Sequence, residues 1–238
     1  MTRILPRRSV LASLIAVPAA AALLSACSDS GGSGQAGGGE TTTPTPPAAG
    51  GNAPAPRGTV GKAKLLEEGA LPEKVLGDAD APVTMVEYAS MTCGHCASFH
   101  KNTLPAIKKD YIDTGKARLI MREFPFDPRA EAGFMLARCA DDKYFAMIDV
   151  LFQQQQSWVQ VENAREALLQ ISRLAGFSQE SFEACLTNQD LLNDVRAVRQ
   201  RGANEFGVDA TPTFFINGNR YAGALTVAEM SAIIDSML

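Results

Sequence analysis

Cys93 and Cys96, with Gly94 and His95 between them, are the residues of this 238-residue chain best spaced to do chemistry. They follow the apolar, β-branched run Pro82-Val-Thr-Met-Val-Glu-Tyr88 and open a stretch of helical character. Two thiols two residues apart at a helix start can close into a small disulfide ring. The unpaired N–H groups of the first turn favour an anion on the leading sulfur. Cys93 is therefore the candidate nucleophile of a redox dithiol, and His95, between the two cysteines, is the main local tuner of its poise. The same thiols, with His95 or His100, could instead hold copper or zinc in a metal-carrying protein. No second Cys-x-x-Cys or downstream His pair completes a structural zinc site, and Ala97 stands where attachment of a c-type haem needs histidine.

The elements that must position the pair can be read from the apolar spacing. Pro82 to Tyr88 predicts a strand, and Ala97 to Asn102 a helix continuing from the cysteines. Pro105 lacks an N–H and predicts a break or kink near Leu104, with a second helical stretch over Ala106 to Ile112. Arg118 to Phe124 predicts a second strand. Asp127-Pro128 is a helix start, Asp as cap and Pro in the first turn, and from there to Phe206 every apolar pattern has helical spacing, including Leu168, Ile171, Leu174 and Ala175. The Gln153 to Gln156 run reads as a solvated helix end. Thr213 to Ile216, a turn at Asn217-Gly218-Asn219, and Arg220 to Ala222 predict a hairpin, followed by a helix over Thr226 to Met237. The sum is a two-layer α/β layout with an all-helical insert.

The first residues place Arg3, Arg7 and Arg8 ahead of an apolar stretch of about fifteen residues, short of the roughly 20 needed to span a bilayer. It ends in Leu24-Ser25-Ala26-Cys27, so residues 1–26 read as an export signal. Leu-Ser-Ala-Cys resembles the lipobox of bacterial lipoproteins, in which Cys27 becomes the lipid-modified first residue; an ordinary secretory signal is the plainer alternative. The Arg7-Arg8 pair leaves twin-arginine export open. Residues 27–61 are almost all Gly, Ser, Thr, Pro, Ala, Asn and Gln, with no apolar face to bury, and predict a disordered tether. What remains, about 175 residues, suits one domain with a large insertion. A net charge of −4 with interspersed signs offers no basic patch and excludes nucleic-acid functions. The five cysteines sort without remainder if Cys27 is lipidated, Cys93 and Cys96 form the redox pair, and Cys139 and Cys185, each on a predicted helix, form a second disulfide. Two buried free thiols are the alternative for that last pair.

Three segments together resemble the DsbA-like group of extracytoplasmic thiol-disulfide oxidoreductases: Ala81 to Cys96, Arg122-Glu-Phe-Pro125, and Gly207-Val-Asp-Ala-Thr-Pro-Thr-Phe-Phe-Ile-Asn-Gly218. The resemblance implies a thioredoxin-like fold built from residues 62–127 and 207–238, with the helical insertion 128–206 between the second and third core strands. It implies that Thr211-Pro212 holds a cis peptide beside the dithiol and pairs with the substrate backbone, and that Glu87 is a buried acid relaying a proton to and from Cys96. The implied function is a periplasmic, lipid-anchored oxidase, without a cofactor, that introduces disulfides into reduced exported proteins and is reoxidised by a membrane quinone-linked thiol oxidase. Cys-Gly-His-Cys also resembles the site of eukaryotic protein disulfide isomerase, so an isomerase or reductase, served by a membrane reductase, stays open. Such relatives carry an N-terminal dimerisation domain where this chain is low-complexity, which points to a monomer. Copper or zinc carriage by a metallochaperone is the alternative of a different class.

Overall fold

The computed structural model describes residues 53–238. The segment expected to direct export, Cys27 and most of the expected tether lie outside the described residues. Among the described residues no helix is long and apolar enough to cross a membrane.

Five strands form one mixed sheet in the order β1-β3-β2-β4-β5: β1 (Lys74–Leu76), β2 (Val83–Ala89), β3 (Ala117–Glu123), β4 (Thr213–Ile216) and β5 (Asn219–Ala222). β2 and β3 run parallel, and the other three pairings are antiparallel. Every residue of β2 is buried, as a central strand covered on both faces must be. Val83 and Met85 pack with Phe99, Ile107 and Ile233 on one face, while Val86 and Tyr88 pack with Leu65 and Phe206 on the other. Glu87 shares the alternation of Val83 and Met85, so its carboxyl points among apolar groups under the helix that carries the cysteines.

That helix begins as α2 (Gly94–Ser98), widens into a π-helical turn over Phe99–Thr103, continues as α3 (Leu104–Ile107) and widens again over Lys108–Ile112. The interruption expected near Leu104 takes the form of a widened turn and not of a break. A π turn precedes the proline, so the hydrogen bond it cannot make is absorbed by the shift to i→i+5 spacing and the chain stays helical. Between β3 and β4 lies the helical insertion: α4 (Pro128–Cys139), α5 (Tyr144–Gln153), α6 (Gln155–Val159), α7 (Ala164–Leu174), α8 (Gln179–Leu186) and α9 (Gln189–Phe206), with α10 (Val227–Asp235) closing the chain. Asp127 caps α4 by accepting from the Arg129 and Ala130 N–H groups. Cys139 on α4 and Cys185 on α8 are joined by a disulfide, their Cα atoms 6.2 Å apart.

Three local expectations are corrected. β1 is an additional edge strand, three residues too short to leave a readable alternation. Leu174, read with Leu168 and Ile171 as one apolar helical pattern, does end α7 but at 76 % exposure, while the other two are buried. Residues 57–60, expected in the tether, lie along β5: Arg57 N–H donates to the Arg220 carbonyl, Arg220 N–H to Gly58 and Val60 N–H to Gly218. Gly218, at φ +88°, is required there, because a Cβ would come 2.3 Å from the Val60 carbonyl oxygen. A short helix, α1 (Lys62–Leu65), follows and buries Leu65.

Candidate active site

Cys93 occupies the N-cap position of α2 in an extended conformation, so its sulfur lies where the amide N–H groups of the first turn point. The structure holds both Cys93 and Cys96 as free thiols. The two sulfurs have opposite acidities. Cys93 is lowered from 9.0 to about 5, first by a hydrogen bond from the Cys96 thiol and, against the cost of partial burial, by the Thr211 side chain and the amide N–H groups of Cys96 and His95. Cys96 is pushed well above 9.0, first by burial, then by its hydrogen bond to Cys93 and the negative charge of Glu87. One sulfur is thus an anion at neutral pH and its neighbour holds a proton for it. As a thiol, Cys93 Sγ donates to the Thr211 carbonyl at 3.3 Å. A carbonyl cannot stabilise the anion; the Thr211 hydroxyl, buried and without a partner among the described residues, is a donor available to it.

Thr211-Pro212 is a cis peptide, and β4, which it precedes, pairs with β2, placing Tyr88 opposite Thr213 and Glu87 opposite Phe214. The C-terminal segment therefore delivers Thr211 to the sulfur. His95 is exposed, and its backbone N–H is among the groups that lower Cys93.

Glu87 is fully buried, and its Oε2 lies 3.0 Å from Nε2 of His100, itself 3 % exposed. His100 stacks on Phe152 of the insertion and meets Phe99 edge-on. Its engagement with Glu87 takes it out of a ligand set with Cys93 and Cys96, and among the described residues no three His, Cys, Asp or Glu side chains converge as metal ligands. The second carboxyl oxygen of Glu87 is buried without a partner among the described residues. A desolvated carboxyl whose charge reaches Cys96 is the chemistry of a proton donor and acceptor.

Two ion pairs in the Arg122-Glu123 segment are structural. Arg122 donates to Glu73, to the Tyr88 hydroxyl and to the Leu65 carbonyl. Arg138 of α4 donates to Glu123, which also accepts from the Tyr144 hydroxyl. They tie β3 to the N-terminal segment and to the insertion.

The loop before the cysteines is held by groups that the sequence left unassigned. Thr92 donates to Asp127 Oδ2 at 2.5 Å, so the cap of α4 also anchors the residue next to Cys93. Gln155, expected on a solvated face, is buried and donates to the carbonyls of Met91 and Cys93. The signal available for it was spacing: Gln155 lies three residues before the fully buried Trp158 on the short helix α6, which puts the two on one face.

The family model described as Thioredoxin matches residues 70–236. A candidate protein-disulfide oxidoreductase of Rickettsia typhi is 36 % identical over 148 residues, covering 61 % of this chain. The chain spans only 55 % of that relative's length. A candidate disulfide bond formation protein D of Bacillus anthracis is 30 % identical over 154 residues, covering 62 % of this chain and 70 % of that one. The crystal structure of alpha-DsbA1 from Wolbachia pipientis is 34 % identical, superposes with a TM-score of 0.69, and covers 75 % of this chain and 96 % of its own. A helical insertion between β3 and β4, a dithiol at the N-terminus of α2 and these similarities agree: the chain belongs to the thioredoxin family, in its DsbA-like group.

Proposed function

We propose that this chain is an extracytoplasmic thiol-disulfide oxidoreductase that passes a Cys93–Cys96 disulfide to reduced exported proteins. A client thiolate attacks Cys93 Sγ of the oxidised form, breaking the ring bond and expelling Cys96 as a thiolate. Cys96 takes a proton from Glu87, in keeping with its raised affinity for one. The client's second thiolate then attacks the client sulfur of the mixed disulfide, forming the client disulfide and releasing Cys93 as the favoured thiolate. Two electrons pass from client to protein, and Glu87 regains a proton from solvent. The backbone at Thr211-Pro212, beside Cys93, serves as the pairing edge for the extended client. A membrane quinone-linked thiol oxidase restores the disulfide, and Cys27 anchors the monomer by lipid to the envelope at the end of its tether.

The observation that carries this reading is the placement of Cys93 at the N-cap of α2, where the Cys96 thiol and the first-turn N–H groups hold its sulfur well below the ordinary thiol value, at about 5. Stabilising the thiolate stabilises the reduced protein, so the disulfide form accepts electrons readily. The test is a redox equilibrium with glutathione, paired with refolding of a reduced and of a scrambled client. The expected results are a potential above about −200 mV and faster recovery of the reduced client. A potential near that of thioredoxin, about −270 mV, would indicate a reductase instead, and preferential rescue of the scrambled client an isomerase.

A further inference from the structure

We propose that Gln155, from the helical insertion, is a positioning residue that sets the Cys93 thiolate by gripping the backbone on which it stands; this rests on Cys93 being the redox nucleophile. The side-chain amide nitrogen of Gln155 lies 2.9 Å from the Met91 carbonyl oxygen and 3.0 Å from that of Cys93. Only a group with two N–H donors can satisfy two carbonyl oxygens from one atom, so the amide orientation is fixed by its partners. The site is enclosed: Gln155 is 8 % exposed, and Met91 and Trp158 are fully buried. Its platform is firm, since Trp158 Nε1 donates to the Leu151 carbonyl at 2.9 Å. A Cβ on Gly133 of α4 would come 3.2 Å from the Met91 side chain and 3.5 Å from Trp158, which shows how closely insertion and loop are packed.

The Cys93 carbonyl is the first acceptor of α2, taking the Ala97 N–H at 3.1 Å. Gln155 holds that same carbonyl from the side, so the peptide plane cannot rock, and the N–H groups of His95 and Cys96 stay aimed at Cys93 Sγ. The amide also brings the positive end of a dipole to the edge of the site. A helical block that merely covered the sheet would leave the redox centre unchanged when one donor is removed; a grip on the nucleophile's own backbone would not.

The test uses the full chain in three forms: natural, Gln155→Met, which keeps length and removes both donors, and Gln155→Glu, which faces two carbonyl oxygens with a carboxylate. The readouts are the pH midpoint of Cys93 alkylation and the equilibrium with glutathione, with the thermal midpoint as a record of folding. The expected result is a Cys93 midpoint raised by about one unit in Gln155→Met, a tenfold loss of thiolate relative to thiol, and a glutathione equilibrium moved the same way. Gln155→Glu is expected to exceed this. A lowered thermal midpoint with an unchanged Cys93 midpoint and unchanged equilibrium would overturn the proposal and leave Gln155 a packing residue. If the natural chain itself titrates like free cysteine, the redox reading fails, and separately. Should either variant fail to fold, nuclear magnetic resonance of the natural protein decides: the Gln155 side-chain N–H signals are expected to shift with the Cys93 midpoint, and their indifference to it would refute the grip.

Discussion

Glu87 Oε2 on the central strand and His100 Nε2 on the helix above it are 3.0 Å apart, and both side chains are almost wholly removed from water. Each supplies the other's hydrogen-bond partner where no solvent can, and the second carboxyl oxygen of Glu87 is left buried without a partner among the described residues. Removing one member leaves the other unsatisfied, so His100→Phe is expected to destabilise the fold by about 1–3 kcal/mol. Glu87→Gln keeps a hydrogen bond and most of that stability but cannot donate a carboxylic proton. Its effect is expected on exchange, slowing reduction of the Cys93–Cys96 disulfide by at least about tenfold, below the usual range for a lost general acid. Urea unfolding of both variants beside stopped-flow reduction separates the two effects. Loss of stability without loss of rate in Glu87→Gln would remove the carboxyl from the proton path.

Thr211 meets Cys93 through its carbonyl, and its buried hydroxyl, without a hydrogen-bond partner among the described residues, is the donor left to serve an anion there. Thr211→Val preserves shape and removes the hydroxyl. The Cys93 midpoint is expected to rise by about half to one unit, read by the pH dependence of thiolate absorbance, with the fold unaltered. An unmoved midpoint would assign the anion's stabilisation to Cys96 and the helix N–H groups alone.

The acidity of Cys93 links folding to pH. Its folded value, about 5, lies below the ordinary 9.0, so its contribution to the stability of the reduced protein is complete above the unfolded value and is lost as pH falls through the folded one. Reduced protein is therefore expected to gain stability relative to the oxidised form as pH rises from about 5 to about 9. Cys96 has the opposite sign, being held protonated well above 9.0, and withdraws stability above that pH. Paired denaturant titrations of the two redox forms at acid, neutral and alkaline pH check this. A difference independent of pH would contradict it.

Much of this site was legible in the sequence because its parts are local. A β-branched run, a dithiol and a helix start lie contiguous in 82–98, and Asp127-Pro128 declares its cap by residue type. What was not legible depends on distant partners. Gln155 looks like its neighbours Gln153, Gln154 and Gln156 until the loop 91–93 is folded against it. His100 offers two ring nitrogens to any partner, and only the strand beneath it decides for Glu87 over a metal. Pro105 carries a strong local signal for an interruption, but that it becomes a widened turn over Phe99–Thr103 and not a break depends on the packing around it. Residues 57–60 have a linker's composition, and their order comes from the unpaired edge of β5.

The Cys139–Cys185 bond spans a sequence separation of 46 residues. In the chain-entropy model a loop of that size contributes roughly 4 kcal/mol, so the double replacement Cys139→Ala, Cys185→Ala is expected to lower the unfolding free energy by up to that amount. The Cys93 midpoint should not move, because the bond joins α4 to α8 and not to the dithiol. Denaturant midpoints and alkylation without prior reduction test both statements; two alkylated thiols at these positions in the natural protein would remove the bridge.

The account stands on the ionisation of one sulfur. The direct measurement is the rate at which Cys93 of the fully reduced, natural chain is alkylated by iodoacetamide as a function of pH, followed peptide by peptide by mass spectrometry. A midpoint at about 5 is predicted, with Cys96 unreactive throughout the neutral range. A midpoint near 8.5, that of free cysteine in water, would contradict it.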